Sequence, residues 1–183
     1  MIDGERTYGL EIVFNDERPL YCFSSKSAGI CAHLFTARHN LLSLSVTVKE
    51  PAQERSYLIK GILPGDTLRF RYLQEAIRKP QTIRTLKSFS RNVSGFKLKM
   101  GCRRGLDIRL KTGGKWRVSH PDNGGFSFML GNVPNTHARA FVMAWNEKEG
   151  WHWQLDDLYP GDDIRLRVVE TKWCDEPPSI KRH

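Results

Sequence analysis

The side chains able to do chemistry are few and scattered. Six histidines stand at 33, 39, 120, 137, 152 and 183. His33 and His39 lie six residues apart, a weak spacing for two metal ligands. His120-Pro121-Asp122-Asn123 brings an imidazole close to a carboxylate, a pair that could move a proton. The same residues read as a turn ahead of Gly124-Gly125, where an Asp bonds nearby backbone instead. Gly101-Cys102-Arg103-Arg104-Gly105 has the glycines and cations to hold a phosphate, and equally the composition of a hairpin turn. Asp156-Asp157 and Asp162-Asp163 could draw a cation, but a solvated turn is the better reading. No Walker loop, GxGxxG, GxSxG or HExxH occurs. The expectation is a protein that is not an enzyme, with no catalytic residue, metal or cofactor.

The four cysteines, Cys22, Cys31, Cys102 and Cys174, form no CxxC pair and no zinc-type spacing with a histidine. Met1 to Arg6 shows no apolar segment behind a basic one, and no apolar run nears the ~20 residues of a membrane helix. A cytoplasmic setting with free thiols is therefore expected, with no membrane partner.

Charge is uneven. Residues 1–75 carry nine basic and nine acidic groups, and 107–183 carry eleven of each. The net +9 resides in 76–106: Arg78, Lys79, Arg84, Lys87, Arg91, Lys97, Lys99, Arg103 and Arg104, with no acid among them. Such a stretch suits a phosphate polymer or an acidic protein surface, or is only solvated chain.

The elements that must position these groups repeat. Tyr57 to Arg71, with Pro64-Gly65-Asp66 at its centre, resembles Trp153 to Arg167, with Pro160-Gly161-Asp162. The offset is 96, and without a gap it also pairs Leu10-Glu11-Ile12 with Leu106-Asp107-Ile108, and Val46 with Val142. Two tandem copies are read: 1–77 and 97–175, joined by a basic linker over 78–96 and followed by a tail over 176–183. Within a copy, the period-2 pattern predicts strands over Gly9–Phe14, Leu20–Phe23, Leu42–Val48, Ser56–Leu63 and Thr67–Leu73. A short helix is predicted over Ala28–Ala37. The fold expected is all-β: two roughly five-stranded antiparallel units, each a sandwich or partly open barrel, packed together.

One face changes character between the copies. Ser45, Thr47 and Lys49 alternate with core residues in the first copy. Their equivalents are Phe141, Met143 and Trp145, while Arg55 corresponds to Trp151. The aromatic set either buries against the first copy, the reading favoured on size alone, or forms an exposed patch for a partner.

The segment from Trp151 through Leu158 and Pro160 to Glu170, ending in Asp175-Glu176-Pro177, resembles small bacterial proteins of unassigned function. They share a Gly-Asp turn, an alternating strand and an Asp-Glu-Pro tail. Coverage is best over 104–178; the first copy has Arg78-Lys79-Pro80 in place of the tail. The resemblance implies an immunity-type protein that occludes a toxin or effector. The partner-binding set expected is then the nine basic residues above with Phe141, Met143, Trp145 and Trp151, facing an acidic protein surface. The alternative is nucleic-acid binding by the basic segment, with Phe89 and Phe96 interleaved.

Overall fold

The computed structural model describes residues 6–24, 29–36, 42–50, 53–76, 89–93, 95–133 and 137–183. The fold is all-β, and among the described residues no helix is long and apolar enough to cross a membrane. The N-terminal half gives six strands: β1 (Arg6–Phe14), β2 (Leu20–Ser24), β3 (Ile30–Thr36), β4 (Leu42–Glu50), β5 (Gln53–Ile62) and β6 (Thr67–Ala76). A short β7 (Phe89–Ser90) follows. The C-terminal half gives β8 (Arg103–Leu110), β9 (Lys115–Ser119), β10 (Gly125–Val133), β11 (His137–Trp145), β12 (Glu149–Gln154) and β13 (Asp163–Thr171), and then β14 (Ser179–Arg182).

Among the described residues, each half thus has six strands where the sequence pattern suggested five. The addition in the first half is β3, which replaces the expected helix over Ala28–Ala37. Ile30, Ala32 and Leu34 are buried and alternate with Cys31, His33 and Phe35, a period of two that no helix can satisfy. Strands on both sides of β3 take up its backbone groups. The tail over 176–183 carries β14, which extends the sheet beside β12.

Two sheets pack face to face over one core, and no barrel closes. The six-stranded sheet runs β2-β1-β6-β13-β8-β9, and the eight-stranded sheet runs β14-β12-β11-β10-β3-β4-β5-β7. All pairings are antiparallel except the two-residue contact of β7 with β5. Both orders are two-fold about their middle. In the six-stranded sheet β6 pairs with β13, and in the eight-stranded sheet β3 pairs with β10. At the centre of the first junction Arg69 faces Arg165, and at the centre of the second His33 faces Met129. Each of these pairs is 96 residues apart in the chain.

The halves therefore meet edge to edge in both sheets, by backbone hydrogen bonds. Two turns strengthen the junction reciprocally. The Gly65 amide donates to the Val168 carbonyl at 2.8 Å, and the Gly161 amide donates to the Tyr72 carbonyl at 2.8 Å. Val168 N–H returns a bond to Asp66 O, and Tyr72 N–H returns one to Asp162 O. Gly65 and Gly161 take φ of 98° and 95°, a left-handed conformation that a side chain would strain. The core runs unbroken between the sheets, with Phe70 and Phe128 meeting across them at a ring separation of 5.9 Å.

Candidate functional site

Strand β11 decides the character of the eight-stranded sheet's outer face. Ala138, Ala140, Val142 and Ala144 point into the core and are buried, so Phe141 and its neighbours Arg139, Met143 and Trp145 point out. The expectation that the aromatic set fills an interface between the copies is not met. The halves join along strand edges, which leaves no facing layer for such side chains to enter. Met143 is 40% exposed and Trp145 44% exposed.

Register adds residues that the sequence reading did not connect. Met129 of β10 lies between Phe141 of β11 and His33 of β3. Ser127 lies between Met143 and Phe35, and His152 of β12 lies on the far side of Met143. The rings of His33 and Phe35 stand 4.9 Å apart, and those of Phe141 and His152 stand 5.9 Å apart. Trp145 lies over Gly125, where a Cβ would come within 3.5 Å of the indole. Ser127 points outward yet is buried. The result is a continuous apolar strip that crosses the two-fold junction from the C-terminal half onto β3. Burial lowers the His33 pKa from its ordinary value of 6.5, so the imidazole is neutral at pH 7 and adds ring surface rather than charge.

Lys49, Lys60, Arg139 and Lys181 are exposed cations on this face; Glu54 of β5 stands opposite Lys49 in the register, and Arg139 lies 4.0 Å from Asp157. Among the described residues of β3, β4, β10 and β11, no outward position holds a carboxylate. Trp151 does not join the strip. It pairs with Ala144, an inward position, and packs edge-on against Trp153 at 6.0 Å on the core side. Its place in the expected partner-binding set is corrected on that ground.

The basic stretch is divided by its surroundings. Arg78, Lys79, Arg84 and Lys87 lie outside the described residues. Arg91 is engaged: its guanidinium reaches both Asp66 oxygens at 3.0 and 3.2 Å and lies 5.7 Å over the Phe14 ring. Lys97 and Lys99 are exposed. Arg103 donates to His120 O and pairs with Asp122 at 3.0 Å. Arg104 is buried against the Phe96 ring at 5.3 Å, and burial lowers its pKa while Glu170 opposes the shift. Arg103 and Arg104 point to different neighbours and do not form one anion clamp.

The proton-transfer candidates are also separated. His120 Nδ1–H donates to the Pro121 carbonyl at 2.9 Å, while Asp122 turns to Arg103. Burial lowers the His120 pKa, with Arg103 and Arg104 adding to the shift against the Pro121 bond and Asp122. Asp66 accepts from the Leu63 amide and from Asn15 Nδ2, and Asp162 accepts from the Tyr159 amide, so both brace their turns. All four cysteines are free thiols, and burial pushes Cys22 up to about 12. Among the described residues, no three His, Cys, Asp or Glu side chains stand together to hold a metal. No protein-family model, curated protein or solved structure matches the chain.

Proposed function

We propose that the chain is a tandem duplication of a six-stranded unit that serves as a non-enzymatic protein-binding module. Its closest functional type is a bacterial immunity protein, acting in the cytoplasm by covering a toxin or effector. One observation carries this reading: the strip of His33, Phe35, Met129, Phe141, Met143 and Trp145 on the outer face of the eight-stranded sheet. Burying it in a complex removes apolar surface from water, and Trp, Phe and Met are the side chains enriched at the centres of contact surfaces. Lys49, Lys60 and Arg139 around it favour an acidic partner and speed its approach. Inhibition would then be steric.

The test is capture of the tagged chain's partner from its own host after nuclease treatment, followed by an activity assay on the captured protein. One stoichiometric protein is expected, silenced while bound. Trp145→Ser should weaken the complex about 30-fold or more if the indole is a central anchor. A chain that captures nothing after nuclease treatment, or a complex indifferent to Met143→Ser and Trp145→Ser, overturns the reading.

A further inference from the structure

The outer face of the six-stranded sheet is built from different residues. Register lays its charges out in rows across the strands. One row reads Tyr21, Glu11, Arg71, Asp163 from β2 to β13, and another reads Thr67, Arg167, Asp107, Arg117 from β6 to β9. In both of these rows cations alternate with or sit beside acids. The row between them does not alternate. It reads Arg69, Arg165, Arg109, Lys115 on four adjacent strands, each directly opposite the next.

Like charges placed directly opposite each other destabilise a sheet. Nearby acids relieve only part of this row. Glu11 pairs with Arg69 at 2.9 Å, and Asp163 lies 3.6 Å from Arg165. Among the described residues, Arg109 and Lys115 make no ion pair, and neither do Arg71 and Arg167 in the flanking rows. Arg69 Nε is buried with no acceptor. Within these three rows, six arginines and Lys115 stand among only three acids, Glu11, Asp107 and Asp163.

Exposed rings stand at the two ends of the face. Tyr21, 48% exposed on the β2 edge, stacks on Phe23 at 6.5 Å. At the β9 edge Trp173 is 58% exposed, with the Arg117 guanidinium 4.4 Å from its ring centre. Six strands set about 4.8 Å apart put these edges about 24 Å from each other. A flat row of guanidiniums matches phosphates in both charge and fork geometry. Open rings beside it give bases a surface to stack on, which an acidic peptide or a lipid headgroup would not use.

We infer that this face binds single-stranded nucleic acid, with phosphates along Arg69, Arg165, Arg109 and Lys115 and bases on Tyr21 and Trp173. The site lies on the opposite side of the sandwich from the strip assigned to a protein partner, and neither assignment depends on the other.

The experiment is fluorescence anisotropy of a labelled oligothymidylate or oligouridylate titrated with the full chain. If three or four phosphates are neutralised, a fourfold rise in salt weakens binding about 20- to 50-fold. Arg109→Gln and Arg165→Gln should each weaken binding several-fold and flatten the logarithmic salt slope by about 0.7. Tyr21→Ala and Trp173→Ala should weaken it about fivefold or more with the slope unchanged. Phe141→Ser with Trp145→Ser, on the opposite sheet, should leave it intact, which separates this test from that of the protein-binding strip. The substituted positions other than the half-buried Phe141 are exposed, and a cooperative melt with a midpoint no lower than the parent's verifies each fold. Absence of salt-dependent binding overturns the inference. So does equal competition by polyglutamate or phosphatidylserine vesicles together with an inert Trp173→Ala, which would mean a general anion surface. So does a loss produced by Lys97→Gln with Lys99→Gln that the row variants do not produce.

Discussion

Strands β4 and β11 occupy equivalent places in the two halves and make opposite use of them. β4 turns Leu42, Leu44, Val46 and Val48 inward and Ser45, Thr47 and Lys49 outward. β11 turns Ala138, Ala140, Val142 and Ala144 inward and Phe141, Met143 and Trp145 outward. Bulk has moved from the core side to the solvent side. The core closes nonetheless, because neighbouring strands compensate. Phe126 and Phe128 stand where the first half has Ile30 and Ala32, and Trp153 stands where it has Tyr57. The outward rings are thus not overflow from a crowded interior. The inner face of β11 is thinner than that of β4, and its outer face is bulkier.

Two pairs of substitutions at equivalent positions probe the comparison of the halves. Trp153→Ala should have the largest effect, a loss of about 3–5 kcal/mol in stability, because the indole is fully buried on β12, opposite Val142 of β11. Tyr57→Ala, at the half-buried equivalent, should lose clearly less. Equal losses in chemical denaturation would mean that the two cores are not compensated differently. Next, Arg165→Gln removes the cation that stands between Arg69 and Arg109, losing only the looser 3.6 Å contact with Asp163, and should raise stability by about 0.2–1 kcal/mol. Arg69→Gln should gain less, since it also breaks the pair with Glu11. A loss on Arg165→Gln would show that the row is already neutralised within the chain.

The smallest effect concerns pH. His33 and His120 have pKa values lowered by burial below the ordinary 6.5 that they regain on unfolding. The unfolded chain then binds more protons, so their contribution is complete above about pH 6.5 and is lost as pH falls toward their folded values. His33→Met makes the junction position identical in both halves, since its partner is Met129. Thermal melts of that variant between pH 7 and 5 should show a shallower decline than the parent. An unchanged slope would place the proton uptake elsewhere.

Much of the fold was legible because period-2 alternation is a local signal. Leu42 to Val48 and Thr67 to Leu73 announce strands and their buried sides, and the two Pro-Gly-Asp turns announce themselves. Ile30 to Thr36 was less legible: its core residues include Ala32 and its outer face includes Phe35, so the contrast between the faces is weak. The strand at Ser179–Arg182 follows Pro177-Pro178 and has a single apolar residue, Ile180, too few to show an alternation. The candidate strip was half legible. Phe141, Met143 and Trp145 share a face by spacing alone. Whether that face looks inward depends on how the halves join, which is a tertiary fact. His33, Phe35 and Met129 reach the strip only through cross-strand register. The arginine row is the sharpest case. The charge count of each half balances, yet two-fold pairing sets Arg69 against its own equivalent, and a cation there must face a cation.

The reciprocal turns have a consequence for how the chain is made. Gly65 and Asp66 bond to Val168, and Tyr72 bonds to the turn at Gly161 and Asp162, so the first half leaves the ribosome before its partners exist. At about 5–20 residues per second, the wait for the matching strand is roughly 5–20 s. Throughout that interval the edges of β3 and β6 are bare, and bare edges recruit other strands. On a polysome, the nearest complementary edge belongs to the next nascent copy of the same half. Early pairing between neighbouring chains is thus a built-in competitor of correct folding, and fast synthesis of the second half is its natural remedy.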